Sequence, residues 1–101
     1  MIVVNVTMKL GEENIAALQI ALTEMEAASR AEEGCEDFTY SVELNDPDVI
    51  RITERWESMD ALAAHFKAPH MAKMRAAMQQ HPPINSQAYF YEATEVSPPG
   101  R

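Results

Sequence analysis

The sequence predicts an α+β domain of the ferredoxin-like class, with the order βαββαβ, a four-stranded antiparallel sheet and both helices on one face. Three observations predict this fold. Four runs alternate between apolar and polar residues, as strands do, and two longer runs repeat their apolar residues at helical spacing. A short turn joins the two middle strands into an antiparallel hairpin. Right-handed crossovers then favour the ferredoxin-like arrangement.

The first strand and the first helix are separated by a change of period. Residues 2–10 alternate, with apolar side chains at the even positions. Gly11 turns the chain, and the period changes from Glu12 onward. The apolar residues then recur at three- and four-residue spacing: Ile15, Leu18, Leu22 and Met25. This helix is predicted to run to about Glu32 and to end at Gly34, because glycine suits a helix C-terminus.

The next two runs predict a hairpin. Residues 38–44 alternate between apolar and polar side chains, and residues 49–56 form another strand-like run. Between them, residues 45–48 read Asn-Asp-Pro-Asp. This composition predicts a turn, because Asn and Asp close local turns and Pro fixes its own φ angle.

The second helical region is predicted to be broken in the middle. Ser58 is a suitable N-cap, because its hydroxyl can accept an early backbone N–H. Pro69 cannot continue this helix without the loss of a hydrogen bond, but it fits the first turn of a new helix. The second piece is predicted to end near His81, and a last strand over residues 85–96 completes the fold.

The first and last strands carry apolar or aromatic side chains on both of their faces: Val3, Val4, Tyr89, Phe90 and Tyr91. Helices cover only one face of the predicted sheet, so the other face needs a cover of its own. A second subunit is the simplest cover. We therefore expect a homodimer through the sheet face.

Length and charge limit the classes of partner. The 101 residues suffice for one domain, predicted over residues 1–96, with a flexible C-terminal tail at residues 97–101. The formal net charge of -8 argues against binding to nucleic acid, because phosphate backbones attract clusters of Lys and Arg. It argues against an anionic membrane surface for the same reason. No apolar run approaches the ~20 residues of a membrane span.

The predicted localisation is cytoplasmic. The N-terminal run alternates like a strand and lacks the features of a signal peptide. Cys35 is the only cysteine, which excludes an internal disulfide and fits a reducing compartment. Cys35 itself is either a packed strand-end residue or a nucleophile, and free cysteines are usually packed.

Two residues near the end of the third strand are candidates for a site. Glu54 lies between Ile52 and Trp56 on one strand face. It is either a carboxylate in a partly apolar pocket, where its pKa would be raised, or a strand-end residue that is hydrated or paired with a cation. Trp56 either belongs to the core alone or also offers its indole N–H to a substrate oxygen.

Two histidines flank the predicted helix break. His65 lies beside Phe66, at or next to the inward stripe of its helix. An inward, uncharged histidine can act as a general base, or it can be a hydrogen-bonded core residue. His70 follows Pro69 and could close the break with a hydrogen bond. Five residues across a break is not the spacing of a helical metal-binding pair, so no metal site is predicted.

Other side chains could shape a pocket. Asn5 interrupts the second face of the first strand, where it could hold a developing oxyanion or satisfy a backbone group. The walls of a pocket for a flat ligand could include methionine and aromatic side chains, which are otherwise core residues: Tyr40, Phe66, Met71, Met74, Met78 and Phe90. The three glycines are not clustered. Neither a phosphate loop nor a conventional flavin site is therefore predicted.

In combination, these segments resemble the antibiotic biosynthesis monooxygenase (ABM) domain family, and within it the quinol monooxygenase-like proteins. The resemblance covers nearly the whole chain and depends on AEEGCEDFTY at residues 31–40 and ITERWESMDALAAHFKAPHM at residues 52–71. Its most specific part is a combination of six residues: Glu54, Trp56, Ser58, His65, Pro69 and His70. The resemblance implies a ferredoxin-like dimer that forms an α+β barrel, in agreement with the predicted strand order.

The resemblance also implies an activity, the oxidation of a quinol or polycyclic aromatic substrate by O2 without metal, flavin or haem. A hydroquinone that a base has deprotonated can itself donate an electron to O2, so the protein supplies a dry pocket, a base and donors for oxyanions. On this interpretation His65 is the base. Asn5, Trp56 and Tyr40 orient or stabilise substrate oxygens. The other implied site residues support these groups or contact the substrate: Glu54, Phe66, His70, Met74 and Phe90.

Three alternatives remain open from the sequence. Haem-degrading relatives use an Asn, a Trp and a haem-ligating His; Asn5 could match the first, but His65 occupies the Trp position and the ligating His falls near Arg75. Related isomerases of small phosphorylated sugars or ketones use similar histidines. The basic residues that could bind phosphate are few: Arg51, Arg55 and Lys67. The third alternative is a non-catalytic dimeric module that binds an aromatic metabolite.

Overall fold

The computed structural model describes residues 1–100 and has the predicted element order. The elements are β1 (Ile2–Lys9), α1 (Glu12–Arg30), β2 (Cys35–Glu43), β3 (Asp46–Trp56), α2 (Met59–Phe66), α3 (Pro69–Gln80) and β4 (Asn85–Glu92). The four strands form one antiparallel sheet in the order β2-β3-β1-β4. The predicted ferredoxin-like α+β fold is therefore confirmed.

One face of the sheet packs against the helices, and we call it the helix face. The even-numbered residues of β1 and β3 share this face, because Ile2 pairs with Trp56 and Val4 pairs with Glu54. They pack with apolar residues of the helices in one core: Ile2, Val4, Leu10, Leu18, Leu22, Met25, Phe38, Ile50, Trp56, Leu62 and Met74. Burial of these apolar side chains is the main force that holds the layers together.

The opposite face of the sheet, which we call the open face, has no helix against it. Its centre is polar, because Asn5 pairs with Thr53 and with Tyr89. Tyr89 and Tyr91 are each about half exposed, and all eight residues of β4 are exposed. The aromatic edge of this face remains without cover within residues 1–100. The predicted homodimer stays a prediction.

The end of α1 differs from the prediction. The helix ends at Arg30, and the next residues form a turn in which Cys35 N–H donates to the Glu32 carbonyl. Gly34 has a φ of +82°, and a Cβ atom there would lie 2.7 Å from the Ala61 Cβ atom. Only glycine allows this conformation and this close approach together. The turn therefore lies directly against α2, which brings Glu32 toward the histidines.

The hairpin turn also differs from the prediction. It lies at residues 44–45 rather than 45–48, because Glu43 already pairs with Asp46. Pro47 lies in the first residues of β3, before the pairing with β1 begins. A proline is tolerated there because no pairing of the sheet requires the N–H that it lacks.

The break in the second helical region is confirmed. The Ser58 hydroxyl accepts the Ala61 N–H at 3.2 Å, and α2 ends at Phe66. Pro69 occupies the first turn of α3, where its missing N–H leaves no helical bond unmade. His65 thus lies in the last turn of α2 and His70 in the first turn of α3. The break turns the two histidines toward the same turn after α1.

The C-terminal strand is shorter than predicted. It ends at Glu92, and residues 93–98 have no regular structure. The predicted domain boundary at residue 96 and the flexible tail at residues 97–101 stay predictions, and Arg101 lies outside the described residues. Within residues 1–100, no helix combines the length and the hydropathy that a membrane span needs.

Candidate functional site

An apolar cavity of about 530 Å³ lies between the helix face of the sheet and the helices. Its walls come from all four strands and all three helices. Most of its lining side chains are aliphatic, methionine or aromatic: Val4, Val6, Met8, Met25, Phe38, Phe66, Met71, Met74, Met78 and Phe90. The volume falls within the roughly 300–1,000 Å³ that is usual for small-molecule sites. The cavity has the size and the polarity to bind a flat aromatic molecule.

Two buried titratable groups face this cavity. His65 is only 1% exposed and Glu54 only 6%, and both contribute to the lining. The other polar side chains of the lining are Tyr40, Arg75 and Gln79. Because most of the wall is apolar, the imidazole and the carboxyl group can act on a bound ligand with few competing polar groups.

The His65 ring is held by aromatic contacts on several sides. Its centroid lies 4.6 Å from that of Trp56 and 5.4 Å from that of Phe38. Its Nδ1 atom lies 2.6 Å from Glu32 Oε2. A carboxylate accepts hydrogen bonds and cannot donate them, so Nδ1 carries the hydrogen. Nε2 then has the lone pair of the ring, and the hydrogen bond of His65 to residues 1–100 is made through Nδ1.

Glu54 and Trp56 form a buried hydrogen bond at the end of β3. The indole Nε1–H of Trp56 donates to Glu54 Oε1 at 2.9 Å. Burial raises the pKa of the Glu54 carboxyl above its ordinary value, although the Trp56 hydrogen bond and the nearby His65 ring act in the opposite direction. The carboxyl therefore retains its proton at a higher pH than an exposed glutamate does, and in that form it can donate a hydrogen bond to a ligand.

This raised pKa predicts a pH-dependent difference between the wild type and Glu54→Gln. The folded protein binds the Glu54 proton more tightly than the unfolded chain does, so this carboxyl lowers the stability as the pH rises above its ordinary pKa of 4.5. Glutamine keeps an acceptor for Trp56 and cannot ionise. We expect the free energy of unfolding of the variant, relative to wild type, to increase between acidic and neutral pH. Urea denaturation across that range measures it.

A matched variant tests the origin of this pH dependence. Glu57 lies three positions further along the chain and is exposed, so Glu57→Gln changes the same net charge without changing a buried group. A constant stability difference between wild type and Glu54→Gln at all pH values would contradict the prediction. So would an equal pH-dependent change in Glu57→Gln.

Six of the nine predicted site residues line the cavity: Tyr40, Glu54, His65, Phe66, Met74 and Phe90. Burial is the main cause that raises the pKa of the Tyr40 phenol, followed by the nearby carboxylates of Glu54 and Glu26. Tyr40 is therefore a neutral hydroxyl at ordinary pH. It can donate a hydrogen bond or accept one, but it is not a base.

Asn5 requires a correction. It lies at an odd position of β1, is exposed and pairs with Thr53 and Tyr89 on the open face. The sheet itself separates its amide from His65. Asn5 therefore does not belong to the group of side chains around this cavity.

Trp56 and His70 also do not line the cavity. Trp56 contacts the lining residue Glu54, and His70 contacts Glu32, which is bonded to His65. Trp56 is 0% exposed and its only N–H is already bonded to Glu54, so it has no donor left for a substrate oxygen. His70 Nε2 lies 2.8 Å from Glu32 Oε2, beside a smaller cavity of about 220 Å³. The two residues position other groups instead of contacting a ligand in the main cavity.

Glu32 is the important residue that the sequence analysis missed. It was predicted to lie at the end of a helix, and nothing in its spacing indicates contact with a histidine 33 positions later. The only local signal was the Glu-Glu-Gly sequence at residues 32–34, which marks a helix end. Arg75 was also missed as a lining residue; its Nη2 donates to the Phe66 carbonyl at 2.7 Å and so completes the end of α2.

The side chains of Glu32, His65 and His70 form a compact cluster, with one nitrogen or oxygen atom of each within 4.8 Å of the others. Such residue types can bind a metal ion. However, ligands at about 2.0–2.2 Å from a tetrahedral metal lie more than about 3 Å apart. The contacts of 2.6 and 2.8 Å to Glu32 are shorter, and they are ordinary hydrogen-bond distances. The arrangement fits a hydrogen-bonded cluster.

Cys35 lies near the same carboxylates. Burial raises the pKa of its thiol, and the charges of Glu32, Glu54 and Asp37 raise it further. The thiol is therefore protonated at neutral pH. This favours the packed interpretation of Cys35 over that of a nucleophile.

The fold and the site together define a ferredoxin-like α+β domain with an apolar cavity of small-molecule size beside a buried imidazole. The family profile for antibiotic biosynthesis monooxygenases matches residues 1–77. The chain belongs to the antibiotic biosynthesis monooxygenase family. None of the curated protein sequences matches this chain.

Solved structures share this fold. One from Deinococcus radiodurans, described as a "putative antibiotic biosynthesis monooxygenase", is 26% identical, with a TM-score of 0.88 and coverage of 97% of each chain. A conserved protein of unknown function from Bacteroides thetaiotaomicron is 29% identical, with a TM-score of 0.81 and coverage of 91% of this chain and 96% of that one. A third structure, from Caulobacter crescentus, is 24% identical, with a TM-score of 0.83 and coverage of 93% of this chain and 90% of that one. At this identity the likeness supports the fold alone.

Proposed function

We propose that this protein is a cofactor-independent monooxygenase that oxidises a quinol or polycyclic aromatic substrate with O2. One observation carries the proposal. The buried His65 ring lines a 530 Å³ apolar cavity, and its Nδ1 atom is bonded to Glu32, which leaves Nε2 as the nitrogen available to a ligand. Membership of the antibiotic biosynthesis monooxygenase family supports oxygen as the second substrate.

The chemistry begins with a proton transfer. His65 Nε2 removes a proton from a substrate hydroxyl or from an acidic C–H next to a carbonyl. The resulting anion is electron-rich enough to give one electron to O2, and the two radicals combine into a C–O bond. His65 then returns the proton to the outer peroxide oxygen. For a methylene carbon, loss of water leaves a ketone, so that CH2 and O2 become C=O and H2O.

The other lining residues have supporting roles in this proposal. The phenol of Tyr40 donates a hydrogen bond to an oxygen that gains negative charge. The Glu54 carboxyl can donate a second one in its protonated form. The apolar walls exclude water from the anion and hold the ring system; they include Phe66, Met74 and Phe90. Trp56 fixes the His65 ring. No step in this sequence requires a metal, flavin or haem.

The wider assembly belongs to the same proposal. A homodimer through the open face would bury the half-exposed rings of Tyr89 and Tyr91. Burial of large aromatic side chains contributes strongly to the stability of interfaces. The partners are then a second copy of the chain, a small aromatic substrate and O2, with neither nucleic acid nor a membrane. The single Cys35 supports a cytoplasmic location. A monomeric mass by sedimentation at all accessible concentrations would contradict the dimer.

Oxygen uptake tests the proposed function directly. Purified protein treated with a chelator is mixed with reduced naphthohydroquinones and anthrones, and an oxygen electrode measures consumption above the rate of autoxidation without protein. We expect protein-dependent uptake with one or more compounds of this panel. Uptake at the background rate with every compound would contradict the proposal.

The same samples distinguish the alternatives. A non-catalytic binding module would show a raised melting temperature with quinones and no oxygen consumption, because binding alone stabilises the folded state. An isomerase would turn over its substrate equally well under nitrogen. A phosphate-binding isomerase has less support, because Arg51 and Arg55 lie at odd positions of β3, on the open face and away from the cavity. Arg75 is the one arginine or lysine among the lining residues, and it already donates to the Phe66 carbonyl.

A further inference from the structure

We propose that Glu32 is the positioning residue for His65 and that His70 holds Glu32 in place. His70, Glu32 and His65 would thus act as one hydrogen-bonded chain behind the cavity. This inference depends on the proposed function in one respect, that His65 acts as a base. It adds a residue, Glu32, that does not line the cavity and contacts no ligand there.

Three residues from different parts of the chain meet at one carboxylate oxygen. One oxygen of Glu32 accepts hydrogen bonds from two imidazoles, at 2.6 Å from His65 Nδ1 and at 2.8 Å from His70 Nε2. The three residues come from the turn after α1, from the end of α2 and from the start of α3. Along this series of hydrogen-bonded side chains the exposed fraction rises, from 2% at His65 to 15% at Glu32 and 21% at His70. The base is thereby connected to the surface by two hydrogen bonds.

The first effect of Glu32 is on the tautomer of His65. A neutral imidazole has one N–H, and only the tautomer with the hydrogen on Nδ1 has a free lone pair on Nε2. Glu32 accepts from Nδ1 and so selects that tautomer. Because Nε2 is the nitrogen without a protein partner, this selection decides whether the ring can accept a proton from the cavity.

The second effect is electrostatic. When His65 takes a proton, its ring becomes a cation in a site that is almost inaccessible to water, between Trp56 and Phe38. Burial opposes this charge. A carboxylate 2.6 Å away offsets much of the cost, because opposite charges attract strongly where water is excluded. The proton stays on the imidazole, which later returns it to oxygen.

His70 acts on Glu32 rather than on the ligand. A glutamate side chain has three rotatable bonds, and a single contact with His65 would leave it free to turn toward water. The N–H of His70 gives the same oxygen a second donor and thus fixes its direction. The break at Pro69 makes this possible, because a continuous helix would not turn His65 and His70 toward one carboxylate.

Nitrogen-15 NMR of the histidine side chains tests the chain without any turnover. In the wild type we expect His65 to carry its hydrogen on Nδ1, with Nε2 unprotonated. In Glu32→Gln the amide can donate to Nδ1, and we expect the hydrogen to move to Nε2. Glu33→Gln is the matched control, because this neighbour is exposed; its His65 signals should equal those of wild type. A wild-type His65 with its hydrogen on Nε2 would overturn the inference.

Steady-state kinetics with an active compound gives the second measurement. We expect Glu32→Gln to reduce kcat by at least about tenfold with KM nearly unchanged, since ground-state contacts in the cavity remain. His70→Ala should reduce kcat by a smaller factor, about threefold, because Glu32 keeps one partner. His81→Ala should match wild type, since His81 contacts Asn14 far from this cluster. Equal kcat values for Glu32→Gln and wild type would overturn the inference.

The two measurements separate failure of the inference from failure of the proposed function. Suppose that wild type consumes no oxygen, but that His65 shows the expected tautomer and loses it in Glu32→Gln. The proposed function is then rejected, and the positioning role of Glu32 stands. If oxygen uptake occurs but Glu32→Gln leaves the tautomer of His65 unchanged, the inference fails alone. A third measurement is the binding of zinc, with zinc chloride added at one equivalent. Tight stoichiometric binding that is lost in His70→Ala would show a metal site in place of the hydrogen-bonded chain.

Discussion

Replacing His65 with alanine is expected to reduce kcat for oxygen-dependent turnover by about 10²–10⁴-fold, the usual contribution of a general base. The residual rate would come from the cavity alone, which still excludes water and holds the ring. Nε2 of His65 is a basic nitrogen at the wall whose lone pair is free, and Tyr40 is a neutral phenol at ordinary pH. An oxygen electrode and the rate of product formation measure the loss.

The control for this variant is His81→Ala, which removes a histidine whose ring contacts Asn14 at the end of α3. Circular dichroism and the ligand-induced shift of the melting temperature show whether His65→Ala is folded and still binds the compound. A folded, ligand-binding His65→Ala protein with at least half of the wild-type kcat would exclude His65 as the base.

The second large effect concerns stability. Trp56→Ala is expected to lower the free energy of unfolding by about 3–5 kcal/mol, as loss of a large buried aromatic side chain does. Trp56 is completely buried and lies against the His65 ring, at the point where β3 leads into α2. Domains of this size are stable by only about 5–15 kcal/mol. The variant should therefore lose a large share of the stability of the fold.

Trp56→Phe separates volume from hydrogen bonding. Phenylalanine keeps an aromatic ring but has no N–H, so Glu54 Oε1 loses its donor. We expect a cost of about 1–3 kcal/mol for the unsatisfied buried group. Urea denaturation must be followed by circular dichroism, because the chain has only one tryptophan. A loss below about 1 kcal/mol in Trp56→Ala would contradict the burial argument.

The fold could be predicted from the sequence because local patterns determine most of it. The two-residue period of residues 2–10, the helical period after Glu12 and the proline at position 69 each indicate one element. The same period also assigned Asn5 correctly to the face opposite Ile2 and Val4. The resemblance to relatives with an active-site asparagine led to the different expectation that Asn5 faces the substrate, and the strand period was the better guide.

The site could be predicted only in part, because its polar contacts are long-range. Glu54 and His65 could be recognised because they are polar residues within or beside apolar stripes. The aromatic lining residues could be recognised as members of such stripes. The bond between Glu32 and His65 could not be inferred, since it depends on how closely the turn at Gly34 lies against α2. The partner of the Trp56 N–H was undetermined for a related reason: a neighbouring carboxyl and a ligand oxygen are equally good acceptors from sequence alone.

The carboxylates around Cys35 have a consequence for how the protein resists peroxide. Peroxides attack thiolates far faster than thiols, and the nearby Glu32, Glu54 and Asp37, together with burial, keep this sulfur in its thiol form. A peroxide that escapes from the cavity would thus find the chain's single cysteine in its least reactive state. The acidic groups around Cys35 would in this way also protect the protein from oxidative damage.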